Sequence, residues 1–375
     1  MVYLDYAANT PVDPAVMDIY CRTSIEFYGN PNANHEAGRK AFRRMQTASE
    51  QIVEMLNCQG MEVIYTSGAS EANNLAIKGI ARAYRENGRH IISTCLEHSS
   101  VSGALTWLQS MGYEIDLVNI TKDGSIDLEH LRELLRDDTI LVSMGYVDSE
   151  LGVRQPIEEI REILMEYPNC YFHIDATQAV GKIEIKMPAA DLITFAPHKF
   201  YGLNGMGILL RKDNVVLEPL IHGGRSNSIY RSGTPVTAQA VATAEALKLS
   251  LNHRKENYQI VEERNKRILQ ALVKYPLVHI NSTEKSLPHF INLSVKGVKA
   301  EKFQEALDEL GVYVSTKSAC SVPNTPSRAV YAVTGDKKIA RGSWRISLSH
   351  LVSQSETEEF LEAFHKCYGL LTGEI

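Results

Sequence analysis

Short apolar runs alternate with amphipathic helical stretches through most of the first half of this 375-residue chain. The apolar runs predict strands at 63–66, 90–94, 115–118, 140–144, 171–174 and 192–195. Strands that alternate with helices form a mainly parallel sheet joined by right-handed crossovers. The sequence therefore predicts an α/β fold, whose chemistry is expected at the ends of the strands.

From about residue 237 the alternation gives way to a different pattern. A long helix at about 240–251 and a highly charged stretch at 253–267 lead into a mixed region. In that region, 290–295 and 312–315 are typical of strands, and 303–310 and 356–368 are typical of helices. We expect a large domain at 15–252 and a smaller α+β domain built from 1–14 and 253–375.

Composition narrows the class of protein. The chain is 44% hydrophobic and 22% charged with a formal net charge of −6, which is ordinary for a soluble enzyme and argues against nucleic acid or a membrane as partner. The first residues lack the charged and apolar regions of an export signal, so we expect a cytoplasmic protein. Six cysteines without C-x-x-C pairs argue against a metal site or a disulfide framework and predict free thiols.

An acid and an amine follow two of the predicted strands. Asp175 ends the run 171–174, and Lys199 comes just after the run 192–195. A protein that holds pyridoxal 5′-phosphate needs a lysine for a Schiff base and a carboxylate against the ring nitrogen. The alternative is that Asp175 caps a helix and that Lys199 is a solvated surface amine.

Two further strand ends carry suitable groups. The turn 66–71 is small and polar, so the backbone N–H groups of the helix that follows could approach a phosphate, and the Ser70 hydroxyl could add a donor. His98 follows the strand 90–94, where a neutral imidazole could stack on a ring and move protons. The alternative for His98 is a helix N-terminal histidine without a role.

Two residues of the smaller domain complete the candidates. Cys320 lies in a polar loop interrupted by prolines, where an accessible thiol beside Lys317 has the setting of a nucleophile, whereas the other five cysteines are expected to be small core residues. A surface thiol without function is the alternative. Arg345 alternates with apolar residues, as in a strand with one buried face, and its guanidinium requires a carboxylate that is either structural or part of a substrate.

The ordered motifs resemble those of the NifS/IscS-type (group I) cysteine desulfurases along nearly the whole chain. The motifs are YLDYAANTPVDP, TSGASEANNLAIKG, EHSSV, DDTILVS, HIDATQAVGK, HKFYG, HGG, RSGT, SAC and WRISL. These are fold-type I pyridoxal-phosphate enzymes that take sulfur from L-cysteine and leave L-alanine. The resemblance implies a fold-type I transferase with pyridoxal 5′-phosphate as cofactor and L-cysteine as substrate.

The resemblance also implies roles for single residues. Lys199 would carry the cofactor as a Schiff base, with Asp175 on the ring nitrogen and Gln178 on the ring hydroxyl. His98 would stack on the ring and move protons, and Cys320 would accept the sulfur as a persulfide. The persulfide sulfur would pass to an acceptor protein for iron–sulfur cluster, thiolated tRNA or thiamine synthesis.

The remaining implied residues hold the phosphate and the substrate. The phosphate ligands would be Ala69, Ser70, His198 and, from the neighbouring subunit of a homodimer, Thr234. Arg345 would bind the substrate carboxylate, and Ser149 stands where many members have an asparagine that touches cofactor or substrate. Ala196–Pro197 and Lys317 also depart from the usual residues. A selenocysteine lyase, a fold-type I aminotransferase and a silent scaffold for sulfur-relay partners are the alternatives.

Overall fold

The computed structural model describes residues 1–185, 190–224, 226–316 and 325–374. Its helices are α1 (Pro14–Glu26), α2 (Glu36–Met55), α3 (Ala69–Ala83), α4 (Ser99–Ser110), α5 (Leu128–Leu134), α6 (Ile157–Leu164), α7 (Thr237–Leu272), α8 (Ala300–Glu309), α9 (Arg328–Thr334), α10 (Lys337–Arg341) and α11 (Gln354–Thr372). Its strands are β1 (Val2–Tyr3), β2 (Met61–Thr66), β3 (His90–Thr94), β4 (Glu114–Val118), β5 (Thr139–Gly145), β6 (Tyr171–Asp175), β7 (Leu192–Phe195), β8 (Gly207–Lys212), β9 (Val278–Ile280), β10 (Phe290–Val295), β11 (Val312–Tyr313) and β12 (Ser343–Ser347).

A seven-stranded sheet forms the centre of the molecule, in the order β2-β8-β7-β6-β5-β3-β4. Neighbouring strands are parallel except at β8, which runs antiparallel to both β2 and β7. The predicted α/β class and mainly parallel sheet are therefore confirmed. Strand β8 was not among the predicted strands.

Helices cover both faces of this sheet. Successive residues of a strand point to opposite faces, so Ile208 and Leu210 of β8 join one apolar cluster while Leu209 joins another. The first cluster contains residues of α2, α6 and α7, and the second contains residues of α3 and α4. Because both faces are covered, the strands carry nearly continuous apolar runs, which is why the sequence reveals them.

A second core lies around the antiparallel sheet β12-β10-β9 and the helices α8 and α11. At its centre the ring of Phe303 stacks on Trp344 with centroids 5.0 Å apart. The short strand β1 belongs to the same region, because it pairs in parallel with β11. The strands expected at 290–295 and 312–315 and the helices expected at 303–310 and 356–368 are present with slightly different ends.

Helix α7 is longer than the sequence suggested. It runs without interruption for 36 residues, so the charged stretch 253–267 is helical and continues the helix before it. Residues such as Ala244 and Leu247 pack in the large core, whereas Val261 and Ile268 pack in the second core. The proposed domain boundary at 252/253 thus lies inside one helix, and the division into domains stays a prediction.

The expectation that five of the cysteines are core residues is wrong at one position. Cys58, Cys170 and Cys367 are buried and Cys95 is half-buried, but Cys21 is exposed on α1, so the expectation that it is a core residue is wrong. The buried residues of α1 are Val16 and Thr23, which places Cys21 on the other side of the helix. Among the described helices, none has a segment with the length and apolarity needed to cross a bilayer.

Candidate active site

A cavity of about 400 Å³ lies where β3, β5 and β6 end. It brings together nine of the residues predicted from the sequence. They are Ala69, Ser70, His98, Ser149, Asp175, Gln178, His198, Lys199 and Arg345. The structure thus gathers residues that are up to 276 positions apart in the chain, and their individual roles stay predictions.

Asp175 is the last residue of β6, next to the strand β7 that leads to Lys199. The expectation of an acid and an amine at the ends of neighbouring strands is therefore confirmed. One carboxylate oxygen of Asp175 accepts from Asn73 Nδ2 at 2.7 Å, and the other accepts from the backbone N–H of Thr177 at 3.0 Å. Two donors hold this buried carboxylate in a fixed orientation.

Lys199 ends a short 3-10 turn, Pro197–Lys199, directly after β7. Its Nζ donates to the carbonyl oxygens of Ala7 and Ala8 at 2.8 and 2.6 Å. It is not fully exposed, so the alternative of a freely solvated surface amine is wrong. The N-terminal segment is part of the site, and the motif YLDYAANTPVDP, which contains Ala7 and Ala8, was the available signal.

His98 is both the N-terminal cap of α4 and part of the cavity wall. Its Nδ1 accepts from the backbone N–H of Ser100 at 3.2 Å, so the proton of the neutral ring lies on Nε2. Burial lowers the pKa of His98, with Asp175 acting to raise it and Lys199 to lower it. The capping role does not exclude a catalytic one, because the second ring nitrogen remains for the cavity.

Asn73 is a functional candidate that the sequence analysis missed. Its Nδ2 donates to Asp175 Oδ2 and, at 2.9 Å, to Ser100 Oγ, which lies 2.8 Å from His98 Nδ1. With Asn73 as donor to Ser100 Oγ, the serine hydroxyl donates to the imidazole. A chain of hydrogen bonds therefore links the carboxylate to the histidine. The position of Asn73 in α3, within the motif TSGASEANNLAIKG, was the signal that the sequence offered.

The turn at the start of α3 has the form expected of a phosphate cradle. Ala69 and Ser70 begin the helix, so their N–H groups have no partner within it. Gly207 of β8 lies against this turn, and a Cβ on Gly207 would be 2.2 Å from the carbonyl carbon of Gly68. Glu71 accepts from the N–H of Ser67 at 2.7 Å and pairs with Arg231 at 2.9 Å, which fixes the turn from the other side.

His198 and Thr234 are the other predicted phosphate ligands. Burial, together with Lys199 and Lys182, lowers the pKa of His198 to about 4, so this imidazole is neutral near pH 7 and can offer one N–H. Thr234 is exposed and is not among the residues that line the cavity of this chain. Its proposed action from a neighbouring subunit stays a prediction. Cys320 and Lys317 lie outside the described residues.

Arg345 differs from its expected setting. Every residue of β12 is buried, so the strand has two buried faces and not one. Arg345 is 2% exposed, with one terminal guanidinium nitrogen 2.7 Å from Asp5 Oδ1 and the other donating to the carbonyl oxygen of Ser149. The carboxylate that Arg345 requires is thus supplied by Asp5, while the residue still lines the cavity.

Two acids of the cavity wall were also missed, Glu97 after β3 and Asp148 after β5. Burial raises the pKa of Glu97 to about 8, although Oε1 accepts from Thr94 Oγ1 and from the Gly145 N–H. Burial raises the pKa of Asp148 to about 7, with Glu150 adding to the effect. The rule that selected Asp175, an acid following an apolar run, also selects these two.

Comparisons with known proteins find similarity over nearly the whole chain. Residues 2–360 match the family described as aminotransferase class-V. A cysteine desulfurase IscS of Proteus mirabilis is 36% identical over 379 residues, covering 99% of this chain and 93% of that protein. A NifS-like protein of known structure is 30% identical with a TM-score of 0.92, covering 99% of this chain and all of the other. A structure of SspA in complex with cysteine is 30% identical with a TM-score of 0.82, covering 93% of this chain and 99% of that one.

Proposed function

This chain belongs to the aminotransferase class-V family, and on that basis we propose that it is a pyridoxal-phosphate-dependent cysteine desulfurase. The reaction converts L-cysteine to L-alanine and leaves the sulfur as a persulfide on Cys320. The observation that carries the proposal is the cavity in which Lys199, Asp175 and the first turn of α3 meet. The full-length similarity to proteins named cysteine desulfurase supports the choice of substrate.

The cavity has the donor set that pyridoxal phosphate requires. The amine of Lys199 attaches the cofactor, and the carboxylate of Asp175 can hold a proton on its ring nitrogen. The free N–H groups at the start of α3 suit the phosphate, and the close approach of Gly207 leaves no room for a side chain behind them. When bound, the cofactor supplies an electron sink that stabilises negative charge at the substrate Cα.

Other residues of the cavity bind the substrate and transfer its proton. Arg345, oriented by Asp5, attracts the substrate carboxylate, and Ser149 lies beside it in the cavity wall. His98 is held with Nδ1 as acceptor, so Nε2 is the atom that can carry or release a proton near the substrate. The hydrogen bonds that run from Asp175 through Asn73 and Ser100 to His98 fix the carboxylate and the imidazole relative to each other.

Cys320 completes the reaction as the sulfur acceptor. Its thiolate attacks the sulfur of the substrate, an S–S bond forms, the C–S bond breaks, and the three-carbon product takes up a proton to become alanine. The sum is balanced, because L-cysteine and one thiol give L-alanine and one persulfide. No external oxidant is needed.

The proposal extends to the surroundings of the enzyme. We expect a homodimer, in which Thr234 of each subunit reaches the phosphate of the other, because Thr234 is exposed. We expect an acceptor protein that takes the persulfide sulfur, for iron–sulfur cluster assembly, tRNA thiolation or thiamine synthesis. A reducing cytoplasm suits a reaction that depends on a thiolate.

The test is mass spectrometry of the purified protein after incubation with L-cysteine and without reductant, with alanine measured in the same sample. We expect one added sulfur on the peptide that contains Cys320, together with alanine. Cys320→Ala should keep the bound cofactor and lose sulfur release. Lys199→Ala should lose the absorbance of the attached cofactor.

The exposed thiol of Cys21 offers a matched control. Cys21→Ser should leave both alanine formation and the Cys320 persulfide as in the parent protein. Desulfuration that survives Cys320→Ala would contradict the acceptor assignment. A keto acid as product, with Cys320 unmodified, would indicate an aminotransferase.

A further inference from the structure

Lys182 is a lysine behind the cavity to which the sequence analysis assigned no role. Its Nζ donates to Gln178 Oε1 at 3.2 Å and to the carbonyl oxygen of Lys199 at 3.4 Å. Gln178 lines the cavity, and Lys182 follows it by four residues in the turn after β6. The lysine therefore contacts one side of the glutamine amide while the cavity lies on the other.

This contact decides which way the amide points. Below its pKa the Lys182 amine is an ammonium group, which has donors only, so the group of Gln178 that faces it is the oxygen. The nitrogen of Gln178 then faces the N-terminal segment, where it donates to the Ala7 carbonyl oxygen at 2.9 Å. The same carbonyl accepts from Lys199 Nζ at 2.8 Å, so Lys182, Gln178 and Lys199 belong to one network.

The amide nitrogen has a second hydrogen to offer. Within the described part of the chain, Ala7 takes one hydrogen of Gln178 Nε2, which leaves the other for a ligand in the cavity. A donor at this place stabilises an ionised oxygen on the ligand, whereas an amide turned by 180° would present its own oxygen and repel it. The polarity of the cavity wall thus depends on the lysine behind it.

Filling this space with a lysine is costly. Burial, with the positive charges of Lys199 and Arg345 adding to the effect, lowers the pKa of Lys182 to about 7. An apolar side chain of similar size would fill the same space without taking an amine out of water. The presence of the amine is explained if its hydrogen bonds are needed.

We propose that Lys182 is a positioning residue, which fixes the Gln178 amide so that its nitrogen donates to the ring oxygen of the cofactor. The inference rests on the cofactor assigned in the proposed function and does not depend on Cys320. Loss of the persulfide reaction would leave it intact.

The experiment compares Lys182→Met with the parent protein, each freed of cofactor and reloaded with pyridoxal phosphate. The readouts are the dissociation constant for the cofactor and the pH midpoint of its visible absorbance. Without the lysine, the ring oxygen loses a reliable donor and a nearby positive charge, and both changes favour the protonated form of the bound cofactor. We expect the midpoint to rise by about one pH unit and the dissociation constant to rise several-fold.

Two further variants separate positioning from charge. In a Gln178→Ala background, Lys182→Met should add only the smaller part of the shift that comes from the charge of the lysine, because positioning acts through the amide. Lys182→Arg keeps donors at this place and should keep most of the parent midpoint. Lys182→Leu is a second replacement without donors, expected to behave like Lys182→Met, should the methionine variant fail to fold.

An unchanged midpoint in the neutral variants would overturn the proposal. It would also be overturned if the shift persisted in full in the Gln178→Ala background, since the lysine would then act by charge alone. A protein that binds pyridoxal phosphate with these shifts but forms no persulfide would refute the proposed reaction and not the role of Lys182.

Discussion

At the scale of single residues, the cavity is notable for two acids whose pKa values are raised by burial. Glu97 and Asp148 have pKa values raised to about 8 and about 7, in both cases chiefly by burial. Asp175 in the same cavity instead receives a hydrogen bond on each carboxylate oxygen. Similar side chains at similar strand ends therefore have different hydrogen-bond partners, because their neighbours differ.

Glu97→Gln tests the raised pKa of Glu97 through its effect on the stability of the protein. The unfolded chain releases the Glu97 proton above about pH 4.5, but the folded protein keeps it until about pH 8. The free energy of unfolding therefore falls as the pH rises between these values, with a slope of up to about 1.4 kcal/mol per pH unit from this group. Between pH 5.5 and 7.5, urea unfolding should show a loss of unfolding free energy that is about 2 kcal/mol smaller in Glu97→Gln than in the parent protein.

Glu86→Gln is the control for this measurement, because the Glu86 side chain is 85% exposed. It should lose stability between the two pH values as the parent protein does. Equal losses in the parent and in Glu97→Gln would mean that Glu97 is already ionised at pH 5.5.

At the scale of elements, the site depends on close backbone approaches. The start of β8 touches the turn before α3, and a Cβ on Gly207 would come within 2.7 Å of the Ala69 nitrogen as well as 2.2 Å of the Gly68 carbonyl carbon. Both contacts are with backbone, so a side chain at Gly207 must displace the turn itself. The antiparallel strand β8 thus fixes the turn that we propose as the phosphate cradle, through the close approach of Gly207.

Gly207→Ala should weaken the binding of pyridoxal phosphate at least tenfold, because the displaced turn no longer directs its N–H groups at the phosphate. Titration of the cofactor-free protein with pyridoxal phosphate measures this. Gly103→Ala is the matched control, since a Cβ there meets nothing within 4 Å and lies in helix α4. The control should bind as the parent does, and equal binding by Gly207→Ala would show that the turn adapts.

At the scale of the whole molecule, one helix holds the two cores together. Helix α7 packs on the large core through its first half and on the second core through its second half. The N-terminal segment makes a second connection, because β1 pairs with β11 while Ala7 and Ala8 accept hydrogen bonds from Lys199. Ala7 and Ala8 line the cavity together with Lys199 and Arg345.

His253→Pro tests whether the two cores unfold together because of α7. His253 is exposed near the middle of the helix, so the proline removes a helical hydrogen bond at a cost of about 3 kcal/mol without disturbing either core directly. In a Trp107→Phe background, Trp344 fluorescence reports the second core, and cofactor absorbance reports the large one. We expect the two signals to separate in urea, with Trp344 changing first.

His253→Ala is the control for the proline variant, and its two signals should change together as in the parent. Coincident transitions in His253→Pro would mean that contacts outside α7 couple the cores. Separate transitions already present in the parent would support the domain boundary at 252/253 but not the role of the helix.

The sequence alone determined the features that depend on local pattern. Continuous apolar runs predicted strands buried on both faces, and the alternation with helices predicted the mainly parallel sheet. Parallel strands end at one edge of the sheet, so the residues just after them are expected to lie close together. This rule predicted that Asp175, Lys199 and His98 share one site. The motif order then identified the resemblance that the comparisons support.

Tertiary structure alone decided the contacts between residues distant in the chain. Asp5 pairs with Arg345 across 340 positions, and Ala7 accepts from Lys199 across 192, and no spacing rule relates such residues. Burial also depends on the whole fold, so the raised pKa of Glu97 and the contacts of Lys182 could not be predicted from composition. Local sequence fixes which residues reach the end of a strand, but only packing fixes what surrounds them there, and the surroundings set their charge and orientation.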